Sequence, residues 1–441
     1  MLKLQLFSNI LKPLKSKSYA FSLLAFSMLV FFSLSTDTLH AQQENETQQD
    51  TTKTQRPSLL SPSDANNQLK ADAEDKNPTI KKDFIDKAVE AKEAFYKKTG
   101  FKIGFDYNSL YMGATESLGN NNHTASGIAR LYGRWDLIGH GTNDTGGIVY
   151  KIEHRHRYAE LTPSQLGFEI GYAGSLHPLY SDQGFRTTNL YWRQSFANGR
   201  VVGYAGFLDS SDWTDVYALA SPWESFNNLA FSVGSATIGG LPDGTLGVML
   251  SAWLTDKVYA IASITDANAR ATDIFKGFDT FFSDFQTFKT FELGIVKSKE
   301  MAFVNNFHVT LWQIDESNFY GSPSGWGISA GGTTMLAGKY EPFLRGGWTK
   351  DGGSLYEASV SAGVGYYMGS HVLGVGLNWG KPNETTFGPG LDDQWTSEIF
   401  YRWQVAHQMQ LTPNIQLVAN PALNPNASFI PVVGLRSRIF L

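Results

Sequence analysis

The chain has 441 residues, with 36 Lys and Arg against 41 Asp and Glu, a formal net charge of -5 and no cysteine. So small an imbalance gives no electrostatic case for nucleic acid or anionic lipid as a partner, and the lack of Cys excludes disulfides and thiolate chemistry. Only 17% of residues are charged, while Gly (43), Phe (30), Tyr (19) and Trp (11) abound, an unusual balance for a water-soluble globular chain.

Lys3, Lys12, Lys15 and Lys17 precede an apolar run from Tyr19 to Leu34, and Leu39-His40-Ala41 offers a small-residue exit. This order predicts a signal peptide over residues 1–41, cut before Gln42, and therefore export. The same run could serve as an uncleaved anchor, but it is short and a polar segment follows at once. Further on, Gly, Asp, Asn and Arg interrupt every apolar stretch before the ~18 residues that a spanning helix needs. Export together with aromatic and glycine enrichment points to an outer-membrane β-barrel, which without disulfides must be held by backbone hydrogen bonds closed around a ring.

Residues 42–80 are mostly Gln, Glu, Asp, Thr, Asn, Ser and Lys. Such a stretch buries too little apolar surface to offset its ordering entropy, and a disordered polar tether is expected. Over 81–98 the period becomes helical: Phe84, Ile85, Ala88, Val89, Lys92 and Phe95 form one stripe, Asp83 comes early, Lys97 and Lys98 late, and Gly100 ends it. Asp83 with Lys87 and Glu93 with Lys97 are spaced for i,i+4 pairs. This amphipathic periplasmic helix either docks against or plugs the barrel mouth, or is a simple lead-in.

From Phe101 the period is two. Ile103, Phe105 and Tyr107 alternate with Lys102, Gly104, Asp106 and Asn108. In 128–138, Leu131, Gly133, Trp135 and Leu137 oppose Arg130, Tyr132, Arg134 and Asp136; in the next segment Ile148, Tyr150 and Ile152 oppose Lys151, Glu153, Arg155 and Arg157. Rows of charge opposite an apolar face fit a wet lumen better than a dry core. Ala197-Asn198-Gly199, between strand-like segments 191–195 and 201–207, is a hairpin signal. Further strands are expected at 247–254, 258–263, 290–296, 307–314, 327–332, 355–367, 371–380 and 398–404.

A soluble antiparallel sandwich would alternate as well, but the export signal and the length separate the two. At ~20 residues per strand and connection, residues 99–441 accommodate roughly sixteen strands, and barrels of that size enclose water. The predicted fold is all-β: a transmembrane antiparallel β-barrel of about sixteen strands with a short N-terminal periplasmic helix.

Several segments resemble the carbohydrate-selective porin family, the OprB-like outer-membrane porins: Leu190-Tyr191-Trp192-Arg193-Gln194-Ser195, then Gly206-Phe207-Leu208-Asp209 with Tyr217 and Ala218, and Ser225-Phe226-Asn227-Asn228 before a glycine-rich strand. Near the end Leu411-Thr412-Pro413-Asn414-Ile415-Gln416 and Asn420-Pro421 precede Val432-Val433-Gly434-Leu435-Arg436. The resemblance spans most of 99–441. It implies a roughly sixteen-stranded barrel through which carbohydrates and similar small solutes diffuse passively across the outer membrane, with no cofactor. Expected partners are small carbohydrate solutes, outer-membrane lipid and the barrel assembly machinery. Two features depart from the pattern: Leu441 follows the aromatic Phe440 at the terminus, and the tether is long.

Selective passage of sugars calls for aromatic platforms beside donors and acceptors. The candidate pore-lining residues are Arg130, Arg134, Lys151, Glu153, Arg155, Arg157, Arg436 and Arg438, which either tune the path or merely line it. A basic excess at the constriction would favour small organic acids or other anions instead. Gly327-Ile328-Ser329-Ala330-Gly331 matches the G-x-S-x-G nucleophile pattern of a lipid hydrolase, but no helix is expected after it. His154 and His156 share a strand face yet lack a third metal ligand, and with the scattered Tyr and Trp they are expected at the membrane interface.

Overall fold

The computed structural model describes residues 58–74, 76–81, 86–139 and 142–441. The expected signal peptide, residues 42–57 of the expected tether, and Asp83, Phe84 and Ile85 of the expected helix lie outside the described residues.

Sixteen strands follow one another. The first eight are β1 (Phe101–Ala114), β2 (His123–Ile138), β3 (Gly146–Arg157), β4 (Gly184–Phe196), β5 (Val201–Leu208), β6 (Thr245–Trp253), β7 (Val258–Asp266) and β8 (Thr287–Val296). The rest are β9 (Asn306–Ile314), β10 (Gly325–Thr333), β11 (Tyr340–Asp351), β12 (Tyr356–Met368), β13 (His371–Pro382), β14 (Gln394–Ala406), β15 (Met409–Ala419) and β16 (Phe429–Phe440). Each pairs antiparallel with its sequence neighbours, and β1 pairs with β16, with Asn108 opposite Arg438 and Leu110 opposite Arg436, so the barrel is closed. Closure leaves no strand edge unpaired.

The two-residue period explains the wall. Phe105, Tyr111, Leu131, Trp135 and Ile152 are exposed on the outside, whereas Asp106, Asn108, Arg130, Lys151 and Glu153 are buried inside. One end of the barrel carries short turns such as 197–200, 254–257, 369–370 and 407–408; the other carries long connections, notably 158–183 and 209–244. In outer-membrane barrels the short turns are periplasmic and the long loops external. The 197–200 turn bears out its Asn-Gly signal, with Ala197, Asn198 and Gly199 at φ 55, 60 and 72°. The Asp144 carboxylate accepts from the Asn198 and Gly199 amides at 3.0 and 2.8 Å.

The expected tether must be corrected for residues 58–74 and 76–80, which are ordered and include helix α1 (Ala65–Ala73). Asp64 caps α1, its carboxylate accepting from the amides of Asn66 and Asn67 at 2.9 and 3.2 Å. Leu59, Leu60 and Ala65 pack among Tyr132, Tyr191, Tyr204 and Trp213. The composition argument supposed that this stretch had to build its own core; instead the inside of the barrel provides one.

Helix α2 (Asp86–Thr99) follows. The Tyr96 hydroxyl donates to Asp136 at 3.0 Å, and Phe95 meets Phe101 edge-on at 6.0 Å, which sets α2 beside the start of β1. Of the two N-terminal helices, α1 is therefore the one that enters the lumen.

Candidate solute path

The 209–244 connection folds into the barrel and is fastened to the wall at several points. Asp215 accepts from His308 Nε2 at 2.7 Å and from the Gly234 amide at 2.6 Å, pairs with Arg345, and donates its own amide to Glu292 at 2.8 Å. Glu398 on β14 accepts from the amides of Asn227 and Asn228 at 2.8 and 2.9 Å. The 158–183 connection crosses nearby: Gln394 and Gln416 donate to the carbonyls of Ala173 and Leu176 at 3.1 and 3.0 Å. Backbone of these loops replaces bulk water as partner to the inner wall, which narrows the path.

Most of the expected lining residues are buried on the inner side, and each charge meets a partner. Arg130 forks onto Asp106, with Nε at 2.7 Å, and its guanidinium lies 3.7 Å from the Trp223 ring centroid. Arg134 pairs with Asp136 at 2.9 Å. Lys151 lies 3.6 and 3.5 Å from Asp209 and Asp212. Glu153 accepts from Arg155 at 2.6 Å, with Arg186 at 3.8 Å, and Arg155 also donates to the Leu179 carbonyl at 2.6 Å.

Arg436 donates to the carbonyls of Pro222 and Ser225 at 2.6 and 3.0 Å. Arg438 joins three elements, reaching Asp106 and Asp72 at 2.8 Å each and Glu224 at 3.0 Å. Arg157 differs from the rest: it is exposed at the loop end of β3, paired with Asp182 at 3.0 Å, because the strand ends there and leaves no lumen to face.

The acids supplied by the loops were not among the expected lining residues. Burial would push Glu224 up, but Arg438 and Arg402 outweigh it and hold the carboxyl at about 2. Burial and the neighbouring Asp212 push Asp209 above the ordinary carboxylate range, with Lys151 opposing. Burial acts on Asp215 too, yet Arg345 and His308 keep it below the ordinary value. These acids lie in irregular segments without periodicity, so nothing in the sequence marks them as facing the lumen.

Two motifs resolve without chemistry. Ser329 sits mid-strand in β10, opposite Thr310 and Gly347, and the strand runs on to Thr333. The strand–turn–helix that exposes a hydrolase nucleophile does not form there. His154 and His156 lie on the outer wall at the loop end of β3, their Nδ1 atoms 3.2 Å apart and His156 Nε2 2.8 Å from the Tyr107 hydroxyl. Among the described residues no group of three His, Cys, Asp or Glu could hold a metal ion.

A closed ring of sixteen antiparallel strands, oily outside and charged inside, with a loop folded into its lumen, is the architecture of a porin-type outer-membrane barrel. The family model described as carbohydrate-selective porin, OprB family, matches residues 343–440, which lie within β11–β16. The chain is similar to Pseudomonas putida OprB in its high-pH structure, with 14% identity, 80% of this chain and 97% of that chain covered, and a TM-score of 0.65. Two substituted variants of the Rh. blastica porin match at 11% identity over 77% of this chain and 100% of theirs, with TM-scores of 0.49 and 0.48. No curated protein matches the chain.

Proposed function

We propose that this protein is an outer-membrane porin through which carbohydrates and similar small hydrophilic solutes diffuse passively. The observation that carries this reading is the pairing of the inner-wall charges: Arg130 with Asp106, Lys151 with Asp209 and Asp212, Arg155 with Glu153, Arg345 with Asp215, and Arg438 with Asp72 and Glu224. A wall built this way is strongly polar yet presents no field of a single sign, which suits neutral polyhydroxyl solutes better than ions. Aromatic rings stand beside the charges, with Trp223 under Arg130 and Tyr217 4.1 Å from the Arg345 guanidinium.

The matched family description names carbohydrate selectivity, which agrees. A porin for small organic acids would need an excess of unpaired basic charge; among the expected lining residues only Arg436 lacks an acid partner, so the pairing above disfavours it.

The same reading puts outer-membrane lipid around the exposed apolar wall, gives insertion to the barrel assembly machinery, and needs no cofactor. The test is planar-bilayer conductance of the purified protein with and without oligosaccharide. Reversible block by the sugar and a weak reversal potential in asymmetric salt are expected. A barrel that conducts nothing would overturn the proposal, and strong anion selectivity would replace sugars by organic acids.

A further inference from the structure

The 267–286 connection between β7 and β8 contains a short α-helix, Lys276–Asp279, that runs on as a π-helical turn, Thr280–Asp284. It lies against the outside of the barrel at the loop end. Tyr204 and Leu208 of β5 and Met249 of β6 pack inward with Trp213, so by the strand period Phe207 and Leu246 point outward. These two face each other across β5 and β6 and are covered by Ile274, Gly277 and Phe281.

The adjoining face of this external helix is apolar and uncovered. Phe275 at its start, Phe278 and Phe282 within it and Phe285 just past its end are 66, 48, 71 and 59% exposed. Phe275 and Phe278 touch the barrel edge-on through Phe207, with ring centroids 5.8 and 5.5 Å apart. Polar residues take the remaining side, where Lys276 pairs with Asp279 at 2.8 Å.

We propose that this helix is an interfacial anchor whose phenylalanine face inserts among the acyl chains of the outer leaflet. The face is continuous with the lipid-facing wall: the outward positions after Leu246 on β6 are Val248 and Leu250, both exposed. Further along the same wall, the small residues Gly203, Ala205 and Ala262 leave a shallow open groove rimmed by Trp192, Phe196 and Leu250. A helix with one apolar aromatic side and one charged side is the form that lies in a membrane interface, and four exposed Phe rings would be a large apolar patch to leave in water. The inference rests on the membrane-barrel reading and adds a specific lipid contact to it.

The absence of native cysteine makes the test direct. Phe282→Cys, Ser283→Cys and Leu250→Cys, each in the full chain, are labelled with an environment-sensitive fluorophore and reconstituted in phosphatidylcholine vesicles doped with acyl-chain nitroxide lipid. Labels at 282 and 250 are expected to be quenched severalfold more by the nitroxide lipid than by aqueous iodide, and the label at 283 the reverse. Iodide quenching at 282 equal to that at 283 would overturn the anchor. Shielding from both quenchers, with energy transfer between labelled copies, would also overturn it, in favour of a second copy on this face. The label at 250 separates the two levels: if it too escapes the nitroxide, the membrane-barrel reading itself fails.

Discussion

Arg438 shows how much one side chain can join. Its planar fork contacts Asp106 on β1, Asp72 on α1 and Glu224 on the inward loop, a geometry that an ammonium point charge cannot reproduce. Arg438→Ala would leave Asp72 without its ion pair and take one of two arginines from Asp106 and from Glu224, which keep Arg130 and Arg402, and breaking a buried ion pair in this way costs roughly 3–5 kcal/mol. A matching loss in urea unfolding of the detergent-solubilised barrel is expected, and an unchanged midpoint would contradict it.

Glu224 makes the same network pH-dependent. Its carboxyl is held at about 2 against an ordinary value of 4.5, so the folded state prefers the ionised form. The stabilisation is fully present above pH 4.5 and is lost as pH falls towards 2. Glu224→Gln is therefore expected to destabilise the barrel at pH 7 by roughly 1–3 kcal/mol, and the gap from wild type should close when both are unfolded near pH 2. That Arg436 and Arg438 share a strand face is legible from their spacing alone. The Arg438 partners Glu224 and Asp72 are not, because those contacts join positions hundreds of residues apart.

At the level of elements, the strands with uninterrupted alternation were readable and the exceptions have physical causes. β11 was not anticipated: Pro342 removes a ladder donor and Gly346-Gly347 breaks the pattern, both ordinarily marks against a strand. It forms because β10 and β12 pair with it on both sides, and the Pro342 carbonyl still accepts from Thr334 at 3.3 Å. The 58–74 segment was misjudged for the opposite reason, since its polarity matches a wet, charged lumen.

This segment arches through the periplasmic half of the barrel. The Ser61 amide bonds to the Asp212 carbonyl at 2.5 Å, and further along the Ile80 amide reaches the Val405 carbonyl at 2.8 Å. Deleting residues 58–74 is expected to raise single-channel conductance severalfold. Asp72→Asn, which weakens the ties of α1 to Arg438 and to the Tyr132 hydroxyl, should increase current fluctuation with little change in mean conductance. Conductance unaltered by the deletion would mean that the segment does not obstruct the path.

For the whole molecule, stability rests on closure. Removing residues 429–441 deletes β16 and leaves β1 and β15 with unpaired edges inside a bilayer, where unsatisfied backbone groups are costly. Loss of the fast-migrating, heat-modifiable form on unboiled gels is the expected outcome. A truncated barrel that still ran as a folded species would count against closure as the source of stability.

Residue order alone established an all-β barrel of about sixteen strands, and which side chains face lipid and which face water, because the two-residue period is local and each strand carries it. The inward loop, the α1 insertion, the pairing of nearly every inner charge and the external phenylalanine helix were settled only by tertiary structure. They depend on irregular segments meeting a wall far away in sequence, and no local period records which part of that wall they will touch.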